Sequence, residues 1–378
     1  MNRRDRLLAT LRGEPVDRPA VNFYEVGGFA VDPGDPDPFN VYNDPSWRPL
    51  LQLAEEKTDL LRMRGVPCKG GLEDPCREFW THEARTEGLS RFHRSTLRIG
   101  GRTMTSATRV DAGVSTTWTL EHLLKTPADV EAYLQLPDPP VGEPDVGPIL
   151  DVEKELGDRG LVLLDTGDPL CEAAGLFSME DYTTLAMTEP ELFHRLLERS
   201  AARLHPWTEK AAAALPGRLW RIVGSEYASE PYLPPHLYAE YEVRYTRPMA
   251  QAIRRHGGFV RLHSHGRLRN ILPHMAAIGI DATDPVEPPP QGDMDLIDVR
   301  REYGREWVLF GNIEASDIEM LPADQFEQKV ARALREGTAG PGRGFVLAPS
   351  ASPYGRTITP RTLANYETMI RLAENFGG

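Results

Sequence analysis

Gly257-Gly258-Phe259-Val260-Arg261-Leu262-His263-Ser264-His265-Gly266 reads as one β-strand that ends in two histidines and a glycine. Successive side chains on a strand point to opposite faces, so Val260, Leu262 and Ser264 share one face. Arg261, His263 and His265 share the other. A strand buried on both sides is apolar on both; here three potentially cationic groups line one side. That side must look into a wet, charged or ligand-filled space, which places the strand end in the functional site.

Working outward, seven further short apolar runs resemble this one. They span 20–24, 59–64, 160–165, 218–223, 279–283, 306–310 and 344–348, and several follow a glycine. Helix-like stretches separate them, at 47–57, 190–215, 235–255, 268–278, 293–303, 323–336 and 359–376. Eight strands alternating with helices predict an α/β fold, a (β/α)8 TIM barrel, with residues 1–378 as one domain. An open doubly wound sheet is the competing architecture, but no Gly-x-Gly-x-x-Gly turn supports it. One region breaks the alternation. Residues 89–99, the pair Gly100-Gly101 and residues 102–110 read as a β-hairpin, and 114–120 extends it. The expectation is a small antiparallel insertion, 89–120, between the second and third barrel strands. The Gly-, Pro- and Asp-rich residues 26–43 form a long loop after the first strand.

The totals bound the function. The chain has 378 residues, 43 Lys and Arg against 56 Asp and Glu, and a formal charge of −13. Nucleic acid and anionic membrane are poor partners for such a chain, because both select basic patches. The charged N-terminus has no apolar segment of a secretory signal, and no apolar run approaches the ~20 residues that span a bilayer. Three cysteines without a Cys-x-x-Cys pair suit a reducing compartment. The expected location is the cytoplasm.

In a barrel the residues just past each strand surround the site, and here they are polar. His263 and His265, with Cα atoms ~6.6 Å apart on one strand face, can converge on a divalent metal such as zinc, with Glu226 as a third ligand. The same spacing also suits a hydrogen-bonded core histidine beside a loop histidine. Without metal, Glu226, His263 and Asp165 are the candidate acid–base groups. Arg261 needs a carboxylate, either Asp281 on the next strand or a substrate acid. Asp168 caps a helix. Tyr24, Glu25, Tyr227, Arg261, Glu287, Asn312, Tyr354 and Arg356 are the candidate contacts to a small-molecule substrate. No P-loop, nucleophile elbow or His-Glu-x-x-His is present.

Five segments in order carry a resemblance. They are Arg4–Ala20 with its Asp17-Arg18-Pro19, His256–Gly266, Gly279-Ile280-Asp281-Ala282 with Phe310-Gly311-Asn312-Ile313, Leu347-Ala348-Pro349-Ser350, and 365–376. Together they resemble the uroporphyrinogen decarboxylase superfamily of (β/α)8 barrels. That group includes zinc-dependent methyltransferases that move methyl groups between methylcobamides and thiols. The resemblance implies a metal-assisted methyltransferase working with a separate corrinoid protein that carries methylcobamide, and a homodimer. The alternatives are decarboxylation of a small acid or porphyrinogen, with Asp165 or a histidine protonating the carbanion, and a non-catalytic barrel that binds a tetrapyrrole or corrinoid. The methyltransferase branch holds zinc with a His-x-Cys pair and a later cysteine; here His263 matches, His265 replaces the first cysteine and Ala351 falls near the second. Tyr24-Glu25-Val26-Gly27-Gly28-Phe29 lacks the substrate-gripping arginine of true uroporphyrinogen decarboxylases. Arg64-Gly65-Val66 stands where their catalytic aspartate follows the second strand. Both departures argue against uroporphyrinogen itself as the substrate.

Overall fold

In a computed structural model that describes residues 1–71 and 74–377, the eight apolar runs form eight parallel strands. In chain order the strands are β1 (Ala20–Val21), β2 (Leu60–Arg64), β3 (Trp80–Glu87), β4 (Ser90–Ile99), β5 (Arg102–Asp111), β6 (Thr117–Glu121), β7 (Gly160–Gly167), β8 (Leu219–Val223), β9 (Phe259–Ser264), β10 (Ala282–Pro285), β11 (Val308–Ile313) and β12 (Phe345–Pro349). The parallel sheet runs β1-β12-β11-β10-β9-β8-β7-β2. Chain neighbours are therefore sheet neighbours, as in a βα repeat wound in one direction.

The sheet curls until its edges meet. Asp59 N donates to Val21 O at 2.7 Å, and Met63 N donates to Gly28 O at 3.0 Å. Gly28 has to be glycine there, since a Cβ would lie 2.3 Å from Tyr24 O and 2.6 Å from Met63 Cε. One apolar cluster takes Ala20, Leu61, Leu163, Leu219, Ala282, Val308 and Val346 from seven strands, with Phe259 of the eighth packed against it. Leu7 and Leu11 of the first helix, Arg3–Arg12, plug its lower end. The alternate residues, including Val260, Leu262, Leu309 and Leu347, belong to the outer core beneath the helices. The period of two thus sorts each strand between an inner and an outer core.

Three expectations are revised. The insertion is a four-stranded antiparallel sheet, β3-β4-β5-β6, that begins at Trp80 and so exceeds a hairpin. Residues 235–255 are interrupted: the helix Pro235–Tyr238 passes through a π-turn, Ala239–Val243, before Arg244–Arg255. β10 starts at Ala282, later than the 279–283 run, so Asp284 lies within the strand. The three cysteines are free. No helix among the described residues is long and apolar enough to cross a membrane.

Candidate active site

The strand that opens the sequence reading has the expected two faces. Arg261 and His263 point into the barrel, and both are bound by one carboxylate. Arg261 Nε donates to Asp284 Oδ1 at 2.6 Å, and His263 Nδ1 lies 2.8 Å from Asp284 Oδ2. The partner is not Asp281, because the register sets Ala282 beside Arg261 and Asp284 beside His263. Asp281 is out of phase and faces the outer layer, where it accepts from Val260 N at 3.0 Å. Burial alone would raise the pKa of Asp284, but Arg261 and His263 hold it well below the usual carboxylate range.

A second ion pair sits one strand over. Arg221 binds Asp165 with two bonds, 2.7 and 3.0 Å, and also donates to the Tyr24 hydroxyl. The Tyr24 ring joins both pairs: it stacks on His263 with centroids 6.0 Å apart and lies 5.3 and 5.6 Å from the Arg221 and Arg261 guanidinium carbons. Two arginines, two carboxylates and a tyrosine thus form a closed, charge-balanced layer under the mouth. Asp165 is thus bound through both oxygens by Arg221.

Above this layer lies the rim. The His265 ring meets the His263 ring edge to face at 4.5 Å, and its side chain is 39% exposed. His265 Nδ1 is 2.8 Å from Glu287 Oε1, while Gly266 N donates to Glu287 Oε2 at 2.7 Å. Burial works against charge on His265, but Glu287 outweighs it and the imidazole pKa is raised. Burial likewise opposes ionisation of Glu287, and the His265 hydrogen bond overrides it and lowers its pKa. Glu314, just past β11, behaves oppositely. Burial, reinforced by the nearby Glu287 charge, pushes its carboxyl up to about 7. Its Oε2 accepts from Ser350 Oγ at 3.2 Å, and its buried Oε1 has no partner. An imidazole whose charged form Glu287 favours and a carboxyl pushed up to about 7 therefore share one end of the barrel.

Other expected residues scatter more widely. Glu226 and Tyr227 lie in the turn Ser225–Ala228 after β8, and Glu226 adds to the field that raises His265. Glu25 accepts from Ser352 Oγ at 2.6 Å. Asn312 stands opposite Ala348 near the top of β11. Tyr354 is exposed. Arg356 is no free anion receptor. It donates to Pro38 O at 2.8 Å, to Ala112 O at 2.9 Å and to Asn43, tying the 26–43 loop to the insertion. The sequence reading missed Arg221, though a lone cation at the centre of Leu219-Trp220-Arg221-Ile222-Val223 is the signal that singled out Arg261. Nor does that reading give Asp284 or Glu314 a role, although both stand at strand ends.

His263, His265 and Glu226 were expected to hold a metal. Each imidazole has its Nδ1 fixed by a carboxylate, which leaves Nε2 as the atom able to ligate. Among the described residues, however, no three His, Cys, Asp or Glu side chains are gathered so that they could hold a metal ion.

Comparison with known proteins adds three findings. The family model described as uroporphyrinogen decarboxylase (URO-D) matches residues 108–375. No curated protein matches the chain. Among solved structures, a D-psicose 3-epimerase crystallised in the presence of D-fructose is similar at 9% identity, over 61% of this chain and 91% of that one, with a TM-score of 0.31.

Proposed function

This chain belongs to the uroporphyrinogen decarboxylase family, and from that premise we propose that it is a barrel enzyme working by metal-independent acid–base chemistry on a small carboxylic acid, with decarboxylation as the reaction. The observation that carries this reading is the buried Glu314 carboxyl, pushed up to about 7, beside the hydrogen-bonded His265–Glu287 pair. The imidazolium of His265, kept charged by Glu287, draws the acid substrate to the rim. As the bond between the carboxylate and its neighbouring carbon breaks, CO2 leaves and the electron pair stays on carbon. Glu314 delivers its proton to that carbon, and Ser350 Oγ stabilises the carboxylate left behind. Solvent then returns the proton to Glu314. Glu226 and Tyr227 border the same space and supply specificity.

Metal-assisted methyl transfer with a corrinoid partner is the second reading, favoured only by the two carboxylate-oriented histidines. One experiment separates them. Purified protein is analysed for metal and incubated in D2O with a panel of small oxo-, aromatic and pyrrole-carboxylic acids. The expected result is metal-free protein that releases CO2 and places one deuteron on the former carboxyl carbon, with both outcomes lost in Glu314→Gln. About one equivalent of zinc, absent from a His263→Ala/His265→Ala variant, would overturn the proposal in favour of the second reading.

A further inference from the structure

Behind the rim, between the ends of β7 and β8 and the π-turn, two carboxyl groups lie wholly inside the protein. Asp168 and Glu242 are each 0% exposed. Asp168 Oδ1 caps the helix Pro169–Ala174, accepting from Cys171 N at 2.6 Å. As carboxylates, its Oδ2 and both oxygens of Glu242 receive no hydrogen bond, yet the Glu242 side chain lies within hydrogen-bonding reach of Asp168 and of Thr246. The buried Glu226 Oε2 is unpartnered too. The titratable groups facing the two acids are Cys171 and Glu172 on the capped helix, Tyr182 on the next, Glu226 and Tyr227 after β8, and Tyr238 before the π-turn. None of them is basic, and Glu172 is itself paired with Arg203 of the helix Pro190–Ala214. Two ionised carboxylates cannot persist together in such a place; a buried carboxyl without a cation keeps its proton.

The pair also touches the chain segment that matters. Asp168 N donates to Val223 O at 3.0 Å, and a Cβ on Gly224 would lie 2.6 and 2.8 Å from the two Asp168 oxygens. Gly224, at φ +130°, leads directly into the turn that carries Glu226 and Tyr227. That turn is pinned from two further sides, by Tyr182 hydroxyl to Tyr227 O at 2.7 Å and Ser225 Oγ to His263 O at 3.2 Å.

We infer that Asp168 and Glu242 share a proton at neutral pH, and that this shared proton holds the 225–228 turn in place beside His265. They are positioning residues; their bearing on catalysis rests on the acid–base reading above, but their protonation does not. The O–H on one acid bonds to the other carboxyl, so that the pair attracts. When that proton leaves to solvent, two like charges face each other against the backbone at Gly224 and the turn is pushed away. Burial raises both pKa values, reinforced at Asp168 by the Glu226 charge and at Glu242 by Asp168, while the hydrogen bond from Glu242 works the other way on Asp168. The native state therefore keeps protons that the unfolded chain gives up, and stability falls as pH rises above the ordinary carboxylate range.

Infrared spectra of the full chain across a pH titration test this without substrate. A protonated carboxyl band is expected to persist at neutral and mildly alkaline pH. At mildly alkaline pH, where Glu314 has ionised, the band should be shifted or weakened in Glu242→Gln and in Asp168→Asn, which retains a capping oxygen, and be untouched in Glu314→Gln. The backbone amide signals of Ser225, Glu226 and Tyr227 are expected to shift as that band disappears, and the shift to be absent in Glu242→Gln. Absence of the band at mildly alkaline pH, or an alkaline shift of these amides that survives in both variants, would overturn the inference. A band that behaves as expected in protein that decarboxylates nothing sinks the proposed reaction and leaves the shared proton standing.

Discussion

Asp284 is the residue on which the inner face of the mouth depends, because one carboxylate compensates Arg261 and orients His263. Changing it to Asn keeps the shape and leaves a guanidinium that is 1% exposed without a counter-charge. The expected loss is about 3–5 kcal/mol in urea denaturation, the range for breaking one side of a buried pair. The sign with pH follows from its depressed pKa. Its stabilisation is complete above the ordinary carboxylate range and is lost as pH falls below about 4. Wild type should therefore weaken on acidification more steeply than Asp284→Asn; equal slopes would place the acid sensitivity elsewhere. Glu314 sets the other limb. With its carboxyl at about 7, activity should decline as pH rises through that value. Glu314→Gln should lower kcat by roughly 10²–10⁴-fold with little change in KM. Of these residues, the alternation of β9 exposes Arg261, His263 and His265 in the sequence. The roles of Asp284 and Glu314 arise from neighbours on other strands and from burial, and linear order carries neither.

At the scale of elements, the insertion sheet shows which patterns a sequence reveals. The Gly100-Gly101 turn between β4 and β5 is legible because a two-residue hairpin turn needs two adjacent residues at positive φ, here 59° and 72°. β3 is not, since Trp80-Thr81-His82-Glu83-Ala84-Arg85-Thr86-Glu87 is mostly exposed on both faces and has no apolar alternation. The same limit explains Arg356. A loop arginine after the last strand looks like an anion receptor, yet its donors go to Pro38 O, Ala112 O and Asn43. A second tie, Arg91 to Asp37 at 2.9 and 3.0 Å, joins the same loop to the sheet. Arg356→Met is thus expected to speed hydrogen exchange in residues 38–43 and 111–114 and to leave β8, β9 and β10 protected. Uniform loss of protection, or none, would show that Arg356 does not act as a local tie.

The whole molecule hangs on how a parallel sheet closes. Every other neighbouring pair of barrel strands is joined by a ladder, whereas β1 and β2 meet through few backbone bonds and a side chain. That side chain is Asp59. Fully buried, it accepts from Val21 N at 2.9 Å, from Arg6 Nη1 at 2.6 Å and from Arg18 Nη1 at 3.0 Å. Arg6 also grips Asp17 with bonds of 2.7 and 2.8 Å. The opening helix, the Asp17-Arg18-Pro19 turn and both edge strands therefore converge on one carboxylate. This gives a physical reason for the Asp-Arg-Pro segment, which the sequence offers only as a likeness. The barrel itself was legible because eight apolar runs must alternate with helices to be buried on both faces; the seam was not, because it depends on a residue just outside a strand. Asp59→Asn removes the charge that two arginines need and should cost about 3–5 kcal/mol. The loss should be local first. Amide protection at Val21, Asp59 and Met63 should fall toward that of an open edge, while β9 and β10, inside continuous ladders, exchange only with global unfolding. If Val21 and Met63 instead keep full protection in Asp59→Asn, closure rests on the apolar plug of Leu7, Leu11 and Leu61 rather than on the buried ion pairs. The Arg–Asp cluster would then serve only to fix the first helix beneath the barrel.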